Sequence, residues 1–248
     1  MRASAAEIAG QLSVVDAERQ RRATLPGLLA KVTELKSFQQ RRFSHTYADL
    51  LARARYGPAA RYFLDELYGP RDFSTRDAQF ARVAPAITRV FPNDVAETIA
   101  ILAELHALSE TLDTATALHV PDGRITPLDY IQAWQRVDRA SDRERQIELT
   151  LQIAAQLDRI TRMPMLRNAL RLMRGPARAA GLSELQRSLE AGFDVFRAMK
   201  GAQEFIALIG SRERSLATAL FAAGRGGAGD PSMERALAGL APTAPEAG

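Results

Sequence analysis

Four polar residues at helical spacing, His106, Ser109, Glu110 and Asp113, form the most chemically suggestive group in the chain. An imidazole near carboxylates can serve as a general base or a ligand, with a carboxylate fixing its orientation. On a helical wheel these residues continue the face opened by Val95, Ile99 and Leu102, so an apolar stripe turns polar before the helix ends. Burying an unpaired hydroxyl or imidazole there would cost about 1–3 kcal/mol, and an unpaired carboxylate several more. The group is therefore sealed in a network by an arginine from a neighbouring helix, exposed where the helix leaves the core, or open as a polar pocket for a small ligand or metal. Spacing permits His106 with Glu110 and Ser109 with Asp113, each one turn apart. A Ser-His-Asp triad has no support, since nothing supplies an oxyanion hole or a strained nucleophile turn.

A second group is basic. Arg167, Arg171, Arg174 and Arg178 follow i, i+4, i+7, i+11 spacing, and the stretch from Arg159 to Ser183 contains no acidic residue. If the helix persists past Gly175 and Pro176, these side chains form one stripe able to meet phosphates or an acidic partner. The bland alternative is a set of solvated or internally paired arginines. Only Lys31, Lys36 and Lys200 are lysines among 33 basic residues, and the net charge is only +4. Such an arginine skew arises as readily from coding bias as from phosphate binding, so nucleic acid ranks below a protein partner.

Other chemistry is excluded by missing parts. Cysteine is absent, which removes disulfides, thiolate metal sites and a thiol nucleophile, and fits a reducing compartment. Gly224, Gly226 and Gly229 match the G-x-G-x-x-G dinucleotide pattern, but no strand precedes them and no suitable helix clearly follows. The positions three before His45, His106 and His119 are Arg42, Ala103 and Thr116, not the glutamates of a helical di-iron site. His119 ahead of Pro121 and Tyr130 has the residue order of the haem side of bacterial globins, but the helix count is too high, and it reads as a loop or C-capping histidine. No cofactor and no metal are expected.

The elements that must position these groups read as helices throughout. Residues 1–23 form an amphipathic helix, with Glu7, Asp16 and Glu18 interrupting any apolar core of a secretion signal. Thr24 and Pro26 open the next helix, and a break near Phe43 to Thr46 precedes another through Ala54. Gly57 and Gly69, each before a proline, read as left-handed caps around a short helix. Ser74 with Asp77 resembles a capping box for a helix to about Val90, bent at Pro85. The longest helix runs from about Asp94 to Leu118, close to 37 Å. Further helices follow from Thr126-Pro127 to Val137, from a Ser141 and Glu144 capping box to Arg162, then over 164–174, 183–200 and 202–223. From Gly224 the chain reads as a disordered Gly/Pro/Ala-rich tail with one weak helical patch near Met233 to Leu240. Strand-like alternation is absent. The expected fold is an all-α, single-domain bundle of about nine to eleven helices around the 94–118 helix, with residues 24–223 as the domain.

Three segments carry a family resemblance: RYFLDELYGPRDFSTRDAQFARVAP (Arg61 to Pro85), ELHALSETLD (Glu104 to Asp113) and GFDVFRAMKGAQEF (Gly192 to Phe205). On these the chain resembles an uncharacterised all-helical family of proteobacterial proteins, over about Phe38 to Ala223. The resemblance implies the helical fold and brings no activity or catalytic residue with it.

The sequence therefore points to a soluble, cytoplasmic helical protein that crosses no membrane and acts as a protein-interaction or regulatory module, through an unknown protein partner or by self-association. Whether it is also an enzyme is open. The alternatives are a ligand- or metal-binding protein or enzyme built on the 106–113 face, and nucleic-acid or phosphate binding through the arginine stripe.

Overall fold

A computed structural model of the chain describes residues 5–66, 75, 78–80, 82–83, 93–224, 226 and 230–241. Twelve helices are defined there, with no strand among the described residues: α1 (Ala5–Thr24), α2 (Leu28–Thr46), α3 (Ala48–Ala52), α4 (Gly57–Glu66), α5 (Asn93–Ala117), α6 (Pro127–Val137), α7 (Ala140–Ile160), α8 (Pro164–Leu172), α9 (Arg174–Ala179), α10 (Ser183–Ala198), α11 (Gln203–Ala222) and α12 (Pro231–Gly239). The all-α bundle read from the sequence is present. The helix expected over Ser74 to Val90, with its bend at Pro85, and the cap at Gly69 lie outside the described residues or only partly within them.

The long helix is α5, and it is central because it is buried on more than one side: α1, α2, α6 and α7 all pack on it. Towards α1 it presents the small Ala103, packed with Ile8 and Leu12, and further along Glu110 and Thr114, which Arg22 reaches. The facing stripe on α1 is Ile8, Leu12, Val15 and Arg22, three apolar side chains and then a guanidinium in the same register. Towards α7 it presents Leu105, packed with Leu149 and Ile153 and flanked by the half-buried Leu102 and Leu108. Leu102 is thus on the α7 side of the helix, not at the centre of one apolar face.

Two larger cores complete the bundle. One gathers Leu28, Val32, Leu35 and Phe38 of α2 with Tyr130, Ile131 and Trp134 of α6 and Leu216 and Leu220 of α11. The other joins α4, α10 and α11 through Phe63, Phe196 and Phe205. The Met233 to Leu240 patch is α12, and its Ala236 and Leu240 are buried in the first core.

Caps explain where the helices begin. Thr126 accepts the Asp129 N–H at 3.2 Å while Asp129 accepts from the Thr126 N–H at 3.0 Å, a reciprocal capping box that starts α6 at Pro127. The box expected at Ser141 and Glu144 does not form. α7 starts two residues earlier than that box implies, at Ala140, with no side-chain cap, and Glu144 instead accepts from Arg214 of α11 at 2.7 Å. Gly57 is not a left-handed cap either: it opens α4, and a Cβ there would sit 2.6 Å from the Leu51 carbonyl oxygen. Close approach, not torsion, demands glycine at that position.

The glycine motif also finds its use. Gly224 and Gly226 donate backbone N–H groups to Asp230 Oδ2 at 2.6 and 3.5 Å, while Asp230 Oδ1 caps α12 by accepting from Ser232 N at 2.9 Å. A helix does follow the glycines, and the anion they cradle is a carboxylate of the same chain.

Candidate functional site

The polar end of α5 is closed by cations from two other helices. Arg22 of α1 ion-pairs through Nη1 with Glu110 Oε2, donates Nη2 to the Glu110 carbonyl at 2.6 Å, and donates Nε to Thr114 Oγ1 at 2.9 Å. Lys36 of α2 donates to the other carboxylate oxygen, Oε1, at 2.6 Å. Both Arg22 and Glu110 are buried, 5% and 6% exposed. Burial alone would push the Glu110 carboxyl up, but Lys36 and Arg22 outweigh it and hold it down from 4.5 to about 2. His106, one turn earlier and half-buried, adds to the same field.

Asp113 lies beside this triad under different conditions. Its Oδ1 accepts one bond, from Gln39 Nε2 at 3.0 Å. Burial pushes its carboxyl above the ordinary 3.8; Lys36 opposes this, and the Glu110 charge reinforces it. The two carboxylates, three residues apart on one helix, are therefore driven in opposite directions by their partners.

Ser109 faces α7, where its hydroxyl accepts from Gln146 Nε2 at 2.8 Å. Gln146 in turn accepts from Arg143 Nη1 at 3.1 Å, and Arg143 Nη2 donates to Thr116 Oγ1 at 2.9 Å. The Arg143 guanidinium lies 4.2 Å from the Trp134 ring centroid, a buried cation–π contact. Burial lowers the Arg143 pKa, with Tyr130 and Asp113 acting against it. A further buried cation, Arg42 of α2, pairs with Glu213 Oε1 at 2.5 Å, and the same oxygen accepts from Tyr47 Oη at 2.6 Å.

Of the four residues singled out from the sequence, Glu110 and Asp113 are buried, and His106 and Ser109 are half-buried. The hydrogen bonds of Ser109, Glu110 and Asp113 run between helices, to α7, α1 and α2, in place of the Ser109 to Asp113 link along α5 that spacing permits. Chemically, Glu110 is saturated. Both oxygens of Glu110 are taken by cations, whose charges repel a metal ion, and among the described residues no group of three His, Asp or Glu is placed to hold one.

Arg22, Lys36, Gln39, Arg42, Arg143 and Gln146 were not identified from the sequence as partners of this face. The arginines did leave a signal. Arg22 stands in the register of Ile8 and Val15, and Arg42 in that of Leu28 and Leu35, each a charge at an apolar position.

The basic stripe is divided. Met173 separates α8 from α9, so the break falls before Gly175 and Pro176 and not at them. Arg167 pairs with Asp194 at 3.1 Å, and Arg174 grips Glu190 through Nε at 2.8 Å and Nη2 at 2.5 Å, both acids on α10. Arg171 and Arg178 are exposed.

The sequence pattern of the family described as Domain of unknown function (DUF8198) matches residues 18–226. The chain belongs to this family. The DUF8198 domain begins inside α1, well before Phe38, so Arg22 and the whole of α2 fall within it alongside Glu110. No curated protein and no solved structure matches the chain. No described helix is long and apolar enough to cross a membrane.

Proposed function

We propose that this DUF8198 protein is a protein-interaction module whose docking face is the outer side of α8 and α9, and that its partner presents an acidic amphipathic helix. One observation carries the reading: Met165 and Leu172, the two most exposed large apolar side chains described, are 83% and 78% exposed on the same face of α8. Ala169 lies between them, and Met173, just after the helix, is 43% exposed. The opposite side of α8 is engaged, with Leu166 and Leu170 half-buried and Arg167 tied to Asp194.

The rim supplies the charge. Arg171 on α8 and Arg178 on α9 are exposed, and the segment from Arg159 to Ser183 has no acid of its own to neutralise them. An apolar strip bordered by arginine complements a helix with leucines on one face and glutamates at its edges. Methionine suits such a surface because its flexible thioether adapts to the partner. Burying Met165 and Leu172 would contribute about 1.5–3 kcal/mol each.

The competing reading, a small-ligand or metal-binding protein or enzyme centred on His106, Ser109, Glu110 and Asp113, draws less support because Arg22, Lys36, Gln39 and Gln146 engage Ser109, Glu110 and Asp113. A reducing, cytoplasmic setting accords with a chain that has no cysteine.

A display library of amphipathic helices alternating Leu with Glu and Asp tests the proposal. Peptides selected on the wild-type protein should lose at least about tenfold in affinity against M165E/L172E and weaken as salt rises. Both side chains are exposed, so the thermal midpoint should not move. Selection of nothing above scrambled peptides, or equal binding to the variant, would overturn it. So would tighter binding, with the same residue dependence, to anionic vesicles or single-stranded oligonucleotide.

A further inference from the structure

A separate cavity of about 270 Å3 opens where α10 turns into α11. Its floor is the buried Phe196 ring, and the buried Thr161 and Gly201 form part of its wall. Three exposed cations line it: Arg162 just after α7, Arg197 on α10 and Lys200 in the turn.

The acid in the lining is already committed. Asp158 Oδ1 accepts from Ala202 N at 3.1 Å, capping α11 from a distance, and Oδ2 accepts from Arg162 at 2.6 Å and Gln203 Nε2 at 3.3 Å. Asp158 therefore balances Arg162, and two positive charges remain. Neither Arg197 nor Lys200 has an ion-pair partner among the described residues.

The turn is also held in place. Lys200 has φ 53° and Gly201 φ 121°, and Arg55 fastens the strained segment by donating to the Met199 carbonyl at 2.9 Å and the Gly201 carbonyl at 3.0 Å. A non-glycine residue held left-handed needs such support. The Arg55 guanidinium is itself balanced by Glu204, 3.9 Å away, so its part is to hold the turn.

We propose that this cavity binds a small phosphate-bearing anion. Two guanidiniums and an ammonium around one opening can engage several oxygens of a tetrahedral anion, and guanidinium forks with an ammonium are the usual phosphate-binding set. A volume of 270 Å3 admits a phosphate with a small organic group and no more.

Calorimetric titration with inorganic phosphate in low-salt buffer tests it, with malonate as the carboxylate comparison. Phosphate should bind the wild type more tightly than malonate, and at least about tenfold more weakly in R197Q/K200Q. R171Q/R178Q, which removes the same charge from α8 and α9, should bind phosphate as the wild type does. Circular dichroism should show all three proteins folded alike. No phosphate binding below about 10 mM, equal loss in both double variants, or malonate binding as tightly would overturn the proposal.

Discussion

Replacing Glu110 by alanine removes the one carboxylate between Arg22 and Lys36 and leaves a guanidinium that is 5% exposed without a counter-charge. Two routes give the size of the loss. A carboxyl held at about 2 in place of 4.5 corresponds to about 3 kcal/mol of preferential stabilisation of its charged form in the folded state. Breaking a buried ion pair by deleting one partner costs about 3–5 kcal/mol. Arg22 keeps its bonds to the Glu110 carbonyl and Thr114, which places the expected loss near the lower value. For a chain of this length, about 3 kcal/mol lowers the thermal midpoint by roughly 6–12 °C.

The pH dependence follows from the depressed pKa. The contribution is complete above the ordinary carboxyl range near 4.5 and disappears as pH falls through about 2. Wild type and Glu110→Ala should therefore differ most at neutral pH and converge in acid, measured by thermal unfolding between pH 7 and 2.5. A triple variant, R22M/K36M/E110L, should recover most of the loss, because apolar side chains of similar volume often replace a buried ion cluster at no cost. A midpoint within about 2 °C of wild type for Glu110→Ala, or a difference that does not narrow in acid, would refute the reasoning.

Asp113 should behave in the opposite sense. Its raised pKa means that ionisation costs stability at neutral pH, so Asp113→Asn should be more stable than wild type in urea at pH 7, with the gap closing as pH falls through the raised value towards the ordinary 3.8; a destabilised variant at pH 7 would contradict that. Glycine to alanine inside a helix ordinarily stabilises, but Gly57→Ala puts a methyl 2.6 Å from a backbone oxygen that already accepts from Arg61, so a loss of about 1–3 kcal/mol is expected in denaturant titrations. Deleting residues 231–248 strips Ala236 and Leu240 from the first core and should cost about 3 kcal/mol, read as a lower midpoint; an unchanged midpoint would make α12 dispensable to the fold.

Helical periodicity made α5 legible to within a residue at each end, and Thr126-Pro127 fixed the start of α6, because capping and amphipathicity are written in neighbouring residues. The same local logic failed at Gly57, where the constraint is a carbonyl from the preceding helix, and at Ser141, where α7 begins without using the hydroxyl. It also missed the Gly201 cavity, whose lining joins residues 158–162 to residues 196–201.

The 106–113 face marks the boundary between the two kinds of information. Sequence alone determined that polar groups interrupt an apolar stripe there, and that burial would oblige them to find partners. Which partners they find was decided by packing: Arg22 reaches Glu110 across 88 residues of chain because α1 lies against the small Ala103 of α5. The same packing sets one carboxyl low and its neighbour high, since a buried charge responds to distance through the protein and not along the chain.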